Sequence, residues 1–166
     1  MIEPRGCFFE DLTIGMSATY AKTITDADIQ SFSSLSGDTN PLHLDHQFAA
    51  ASVFGSRIAH GMLAASLLST VFGTKLPGPG GIYISQNIRF RAPVRPGETV
   101  VAEARVVATD GKRLRATFAC SCTVDTRVVI EGEAVIQVPS RADARPAKPT
   151  TEEASGLSLI PGAVTA

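Results

Sequence analysis

A long apolar segment in the first half of the chain predicts a buried helix. Residues 58–76, IAHGMLAASLLSTVFGTKL, form the longest apolar segment of the sequence. Their apolar positions would lie on nearly every side of a helix, whereas a surface helix carries a single apolar stripe. We therefore expect this helix to be buried on most sides and to be covered by other elements of the fold.

Four runs downstream of this helix have the pattern of β-strands. They are rich in β-branched residues, they alternate partly between apolar and polar positions, and the turn signals RPGE, DGK and DT separate them. Connections this short join antiparallel neighbours, so we expect the runs to form a meander. They cover residues 81–94, 98–109, 112–124 and 127–138.

The residues before the long helix predict one further strand and two short helices. Residues 15–24 have a strand pattern, and residues 25–37 predict a helix capped by Thr25 or Asp26. A second short helix can run through residues 45–52. One early strand, one buried helix and then several strands predict an α+β domain in which a curved sheet packs around the helix.

The composition changes after Val138. Residues 140–166 are rich in Pro, Ala, Ser and Thr and have few of the apolar residues that a core requires. We expect one domain over residues 1–139, followed by a disordered tail or linker over residues 140–166.

Charge and cysteine content exclude several classes of function. The chain carries 15 basic and 16 acidic residues and a net charge of -1, so we expect no nucleic-acid partner. No stretch approaches the roughly 20 apolar residues of a membrane span, and we expect no membrane association. The three cysteines have neither disulfide nor zinc spacing, and the first residues lack a signal-sequence pattern. These features predict a cytoplasmic protein with reduced thiols.

The segment SLSGDTNPLH, residues 34–43, has two interpretations. Its residue types favour a turn, because Gly37 tolerates a positive φ, Pro41 fixes φ, and Asp38 and Asn40 can bond their own backbone. A carboxylate and a histidine in an irregular loop can also hold and activate a water molecule, as Asp38 and His43 would. Local chemistry alone leaves both interpretations open.

The start of the long helix offers a second chemical group. The first turn of a helix has unpaired N–H groups, and Gly61 would let a carbonyl approach them without a Cβ in the way. Such N–H groups could stabilise an oxyanion, although close helix packing explains a glycine there equally well. We interpret the adjacent His60 as a capping or packing residue.

Other polar residues leave alternatives open. Ser69 can bond a carbonyl one turn back on its helix or can reach the loop. Arg89 and Arg91 share one face of a strand and can bind phosphate or remain exposed. A metal site formed by His43, Asp45 and His46 is not favoured, because the HLDH segment lacks the further ligands of a closed site. We expect no metal.

Three segments together resemble a known family. SGDTNPLHLD, then IAHGM, and then IYISQNIRFRAPVRPGETV resemble the MaoC-like dehydratases, also called (R)-specific enoyl-CoA hydratases or hydratase 2. The resemblance runs from about Gly15 to Val138. It implies a hot-dog fold, in which an antiparallel sheet wraps around one long helix, and a homodimer.

The resemblance also implies an enzymatic activity and a role for each loop residue. Asp38 and His43 would activate water for reversible syn addition to a trans-2-enoyl-CoA, giving a (3R)-3-hydroxyacyl-CoA. Asn40 would support the loop, the Gly61 N–H would bind the thioester oxygen, and Ser69 would help to hold the loop. Coenzyme A is then part of the substrate, so no separate cofactor is expected.

The resemblance says less about the acyl substrate and about a partner domain than about the catalytic residues. Arg89 and Arg91 would contact phosphates of coenzyme A, while Met62, Leu67 and Tyr83 would set the depth of the acyl pocket. Alternatives are a dehydratase of branched, dicarboxylic or acyl-carrier-protein-bound thioesters and a non-catalytic acyl-CoA-binding module. GTKLPGPGGIYISQ further resembles the hydratase-like domain that in some proteins precedes a phosphate acyltransferase domain, and this resemblance implies such a domain or partner as one alternative.

Overall fold

The computed structural model describes residues 6–143 and shows an α+β domain, as predicted. Among these residues no helix is long and apolar enough to cross a membrane. The four helices and five strands are α1 (Asp26–Ser36), α2 (Pro41–Leu44), α3 (His46–Ala50), α4 (Gly61–Thr74), β1 (Ser17–Thr23), β2 (Ile82–Phe90), β3 (Thr99–Asp110), β4 (Arg115–Val124) and β5 (Arg127–Gln137).

The five strands form one antiparallel sheet in the order β1-β3-β4-β5-β2. Strands β3, β4 and β5 form the predicted meander, but the prediction that β2 begins it is wrong. Strand β3 already pairs with β1 on one side and β4 on the other. Strand β2 therefore crosses to the far edge of the sheet and pairs with β5.

Helix α4 lies against the concave face of the sheet and contacts β1, β3 and β4. Alanines on β3 and β4, including Ala102, Ala104 and Ala116, let the helix approach the sheet closely. The buried residues of the helix are Leu63, Ala64, Ala65, Leu67, Leu68, Val71 and Phe72.

One side of α4 is not covered, which corrects the prediction of a helix apolar on nearly every side. Met62, Ser66, Ser69 and Gly73 form an exposed stripe at helical spacing. Serine and glycine interrupt the apolar pattern at these positions, and the stripe lies beside β2, where a groove remains between helix and strand.

Helix α1 begins at a capping box, and its cap is Thr25 rather than Asp26. The Thr25 side chain accepts a hydrogen bond from the Asp28 N–H at 3.2 Å, and the Asp28 carboxylate accepts one from the Thr25 N–H at 2.9 Å. Hydrogen bonds from the backbone and side chain of Thr25 lower the pKa of Asp28. The helix ends at Gly37, whose φ of 78° turns the chain into the segment 38–43.

The first residues of the predicted tail pack against the domain. Ser140 is buried and donates a hydrogen bond to Glu10 at 2.6 Å, and the Arg141 N–H donates to the same carboxylate at 3.0 Å. The guanidinium of Arg141 pairs with Asp11 and lies 5.0 Å from the centre of the Phe8 ring. Residues 144–166 lie outside the described residues, so the predicted disorder of the tail is not tested there.

We expect a chain that ends after Asp143 to melt at the same temperature as the full-length protein. A chain that ends after Pro139 should melt about 3–5 °C lower, because it loses the buried hydroxyl and the Arg141 contacts.

The contacts of Glu10 should also make this stabilisation depend on pH. Bonds from Ser140 and Arg141 lower the pKa of Glu10 from 4.5. The stabilisation is thus present above pH 4.5 and lost as the pH falls through the lowered pKa. Calorimetry at neutral and acidic pH measures both effects, and equal melting temperatures at neutral pH would contradict the docking.

Candidate active site

The segment 38–43 is held by its own turn chemistry. The Asn40 N–H donates to Asp38 Oδ1 at 3.2 Å, and the Leu42 N–H donates to Asn40 Oδ1 at 3.1 Å. Pro41 occupies the first turn of α2, a short helix that the sequence did not predict. The side chain of Asn40 therefore caps the helix that carries His43, and its supporting role in catalysis stays a prediction.

His43 is buried, with one ring nitrogen in a hydrogen bond and the other free to accept a proton. Its Nδ1 lies 2.9 Å from the carbonyl oxygen of Ile58. Because a carbonyl only accepts hydrogen bonds, Nδ1 carries the proton and Nε2 keeps its lone pair. Ile58 is itself bonded to α2, since its N–H donates to the Leu42 carbonyl at 3.3 Å. His43 Nε2 is therefore able to take a proton from a water molecule.

Asp38 and His43 come together with a third residue, His60. One oxygen or nitrogen of each side chain lies within 4.8 Å of those of the other two. The His43 and His60 rings are in contact, with centroids 3.8 Å apart and an angle of 33° between the ring planes. These three side chains are of types that can bind a metal ion, but they are not the three considered from the sequence, which were His43, Asp45 and His46. Asp45 instead caps α3, and His46 is exposed at the start of that helix.

His60 does not cap α4 through its side chain, which corrects part of the predicted role. It stands at the N-cap position without a side-chain capping bond. Its ring packs against Phe32, as the packing interpretation expected, with centroids 5.0 Å apart. Its Nε2 lies 3.0 Å from the backbone carbonyl oxygen of Asp38. The sequence showed this histidine, but it contained no signal for its contact with a residue 22 positions away.

The start of α4 opens into a pocket beside His43. The N–H groups of Gly61 and Met62 have no hydrogen-bond partner within residues 6–143. Gly61 borders the pocket, and a Cβ added to it would lie 2.8 Å from the Phe90 ring. Phe90, which the sequence analysis did not single out, thus forms the wall opposite these N–H groups.

The pocket is mainly apolar and has a volume of about 290 Å³. Arg91 lies at its rim and pairs with Glu131. Arg89 lines a separate groove with Glu131 and Glu133, so only one of the two predicted arginines lies at the pocket itself. The pocket is lined by His43, Phe54, Ile58, Ala59, His60, Gly61, Ala64, Phe90, Arg91, Ala92, Pro93, Val94 and Ile130.

A second groove of about 340 Å³ follows the exposed stripe of α4. It brings together three predicted residues, Met62, Ser69 and Tyr83. Leu67 instead lies in the core, which corrects its predicted place in the pocket. Within the described residues Ser69 makes no hydrogen bond to the segment 38–43, and its role there stays a prediction.

Tyr83 lines this groove and packs against the core. Its ring meets Phe72 edge-on, with centroids 5.2 Å apart, and its hydroxyl donates to the Gln86 side chain. Burial is the main cause that raises the pKa of Tyr83 well above its ordinary value of 10.0. The hydroxyl therefore stays neutral and acts only as a hydrogen-bonding group.

Comparison with known proteins identifies the family. The family model described as "MaoC like domain" matches residues 12–128. The chain belongs to the MaoC-like domain family. It is 46% identical over 144 residues to a 3-hydroxybutyryl-CoA dehydratase of Methylorubrum extorquens, covering 87% of this chain and 92% of the relative. It is 51% identical over 134 residues to an (R)-specific enoyl-CoA hydratase of Rhodospirillum rubrum, covering 81% and 93%.

A solved structure of this MaoC-like family has the same fold. The (R)-hydratase from A. caviae superposes with a TM-score of 0.76 at 40% sequence identity, covering 78% of this chain and 99% of that chain. The antiparallel sheet around α4 is therefore the hot-dog fold, and both the recognition of the family and the predicted fold are confirmed.

Proposed function

We propose that this MaoC-like protein is a hydro-lyase that reversibly hydrates trans-2-enoyl-CoA to (3R)-3-hydroxyacyl-CoA. The observation that carries the proposal is that Asp38 lies close to His43, and that His43, with its free Nε2, and Gly61, with an N–H unpaired within residues 6–143, line one apolar pocket. The relatives named as hydratase and dehydratase support the same activity, since the two names describe opposite directions of one reaction.

The proposed reaction begins with a water molecule between Asp38 and His43. His43 Nε2 takes one proton from the water, while the Asp38 carboxylate accepts a hydrogen bond from the other and orients the oxygen. The oxygen forms a bond to the β-carbon of the enoyl group as the double bond shifts towards the thioester. The proton then passes from His43 to the α-carbon on the same face, which completes a syn addition.

The negative charge of the intermediate appears on the thioester oxygen. The Gly61 N–H, at the positive end of α4, is placed to donate to that oxygen. Phe90 forms the pocket wall beside this position. Dehydration uses the same contacts in reverse.

We propose that the acyl chain of the bound substrate extends from this pocket in one direction and coenzyme A in another. The groove between Met62, Ser69 and Tyr83 is apolar and suits an acyl chain, and the Tyr83–Phe72 contact limits its depth. Arg91, which pairs with Glu131 at the rim, and Arg89, which lies two residues earlier on β2, are proposed to contact phosphates of coenzyme A.

The reaction is tested by the loss of enoyl-thioester absorbance with crotonyl-CoA, hexenoyl-CoA and longer enoyl-CoA substrates, followed by chiral analysis of the product. Turnover to the (3R) product supports the proposal. Turnover only when the acyl group is carried by acyl carrier protein would support the alternative dehydratase. Tight binding of acyl-CoA without turnover would support the non-catalytic module.

We also propose that the chain forms a homodimer through β2. This strand is an edge of the sheet, and unlike the β1 edge it exposes large apolar side chains, namely Ile82, Tyr83, Ile84 and Phe90. An apolar strand edge of this kind is commonly covered by a second copy of the chain. Light scattering at micromolar concentration should give twice the chain mass, and a monomer mass would contradict the dimer.

The cytoplasm is the proposed location. Cys7, Cys120 and Cys122 are free thiols. Burial raises the pKa of Cys120 to about 11 and that of Cys122 to about 12, so both stay protonated and unreactive at neutral pH. Free thiols are typical of reducing compartments. A functional association with a phosphate acyltransferase remains a proposal from the resemblance alone.

A further inference from the structure

The backbone carbonyl of Asp38 is held by two side chains from different parts of the fold. Ser33 of α1 donates from its hydroxyl to this oxygen at 2.7 Å. His60, the residue before α4, lies with Nε2 at 3.0 Å from the same oxygen. Both donors are almost fully buried, with exposed fractions of 4% for Ser33 and 2% for His60. The two bonds tie the catalytic segment to α1 and to the start of α4.

These bonds hold the backbone of Asp38 together with one more, which its own N–H donates to Ser36 Oγ at 3.2 Å. The residue itself is exposed, and its carboxylate is held within the described residues only by the Asn40 N–H. That partner belongs to the same segment and moves with it. The position of the carboxylate relative to Gly61 and to the pocket therefore depends on how firmly the backbone of Asp38 is attached to the helices.

The hydrogen bonding of the two His60 ring nitrogens indicates why a histidine, rather than an apolar ring, occupies this position. Since its Nε2 faces a carbonyl, this nitrogen carries a proton, and in a neutral imidazole Nδ1 then has none. His60 Nδ1 is buried and has no hydrogen-bond partner among residues 6–143. An unpaired buried nitrogen is unfavourable, and an apolar ring would fill the same space between Phe32 and His43 without that cost. Packing alone therefore does not account for a histidine here.

We propose that Ser33 and His60 are positioning residues for the hydration reaction. By donating to the Asp38 carbonyl they hold the carboxylate where it can orient the water that His43 deprotonates. His60 also fixes the second reacting side chain, because its ring lies against that of His43. The effect on turnover rests on the proposed function, whereas the effect on the order of the segment 38–43 does not.

A set of four variants separates positioning from packing. Ser33→Ala removes one donor with almost no change in volume. His60→Phe keeps an aromatic ring beside His43 but removes the other donor. His60→Gln restores an N–H near the position of Nε2. Ser34→Ala, on the exposed side of the same helix, is the matched control.

The expected result is a fall in kcat with little change in KM. We expect kcat for crotonyl-CoA to fall about 10-fold in Ser33→Ala and about 10- to 100-fold in His60→Phe, the scale on which a displaced catalytic group reduces rate. KM should remain within about 3-fold, because neither side chain is proposed to form a hydrogen bond to the substrate, and His60→Gln should recover most of kcat. Amide hydrogen exchange of the segment 38–43 should be faster in the first two variants and unchanged in the control.

Three outcomes would overturn the proposal. One is wild-type kcat in both Ser33→Ala and His60→Phe. Another is a folded His60→Gln protein as slow as His60→Phe, which would show that the donor is not the cause. The third is unchanged exchange of the segment in Ser33→Ala, a variant small enough to fold even if His60→Phe does not. If the wild-type protein itself fails to hydrate enoyl-CoA, the proposed function is wrong, and the exchange measurement still decides on the positioning.

Discussion

Asp38→Asn and His43→Gln are each expected to lower kcat for crotonyl-CoA hydration by at least ~10²-fold, the usual scale of general acid–base catalysis. Asparagine keeps the size of Asp38 and an oxygen for the Asn40 N–H, but it lacks the negative charge that orients the water. Glutamine has no nitrogen with a lone pair able to take the proton that Nε2 of His43 accepts. Both proteins should fold as the wild type does and still bind acyl-CoA.

The double variant should be little slower than the slower single variant. Both residues act on one water molecule, so removing either disables the pair. His46→Gln is the matched control for the histidine, since His46 is exposed at the start of α3 and should keep wild-type kcat. If both single variants hydrate crotonyl-CoA at near wild-type rates with unchanged circular dichroism, the segment 38–43 is only a turn and the proposed function fails.

Gly61→Val is the other substitution with a large expected effect. Its side chain would enter the pocket where the thioester oxygen is proposed to bind, and loss of one oxyanion donor typically costs ~10²–10³ in rate. The new Cβ would lie 2.8 Å from Cε1 of the Phe90 ring. Since Phe90 is 53% exposed, its ring can move aside, and we expect a loss of only a few degrees in melting temperature.

Gly73→Ala provides the control on the same helix. Apart from its chain neighbours and the backbone of its own helix, no atom of residues 6–143 lies within 4 Å of a Cβ placed at Gly73, and alanine favours a helix by roughly 1 kcal/mol over glycine. This variant should keep full activity and melt at the same or a slightly higher temperature. Kinetic and melting measurements on both variants decide the role of Gly61, because losses of stability and activity of similar size in Gly61→Val would indicate that the glycine serves helix packing.

Local patterns in the sequence were sufficient for most elements of the fold. The capping box at Thr25, the alternation in β3 and β4 and the apolar run of α4 each depend on neighbouring residues, and each element formed close to its predicted place. The short helix α2 was missed, because Pro41 and Asn40 are equally common in turns without a helix.

Features that depend on distant contacts were predicted less well. The far-edge place of β2 follows from β3 having both of its neighbours already, which no local pattern of β2 expresses. The uncovered stripe of α4 follows from the same arrangement, because the sheet covers only one side of the helix. Ser140 was assigned to the tail on composition, yet it packs against Glu10, a residue 130 positions away.

In the candidate site, too, local features could be predicted from the sequence and distant contacts could not. By itself the sequence determined the turn residues of the segment 38–43, the pairing of Asp38 with His43 in one motif and the glycine at the start of α4, because these depend on residue type and short spacing. Only the tertiary structure decided that the Ile58 carbonyl selects the tautomer of His43 and that Ser33 and His60 hold the Asp38 carbonyl. These bonds form between groups that are brought within 3 Å by the packing of α1 and α4, and that packing is set by burial of apolar surface over the whole core.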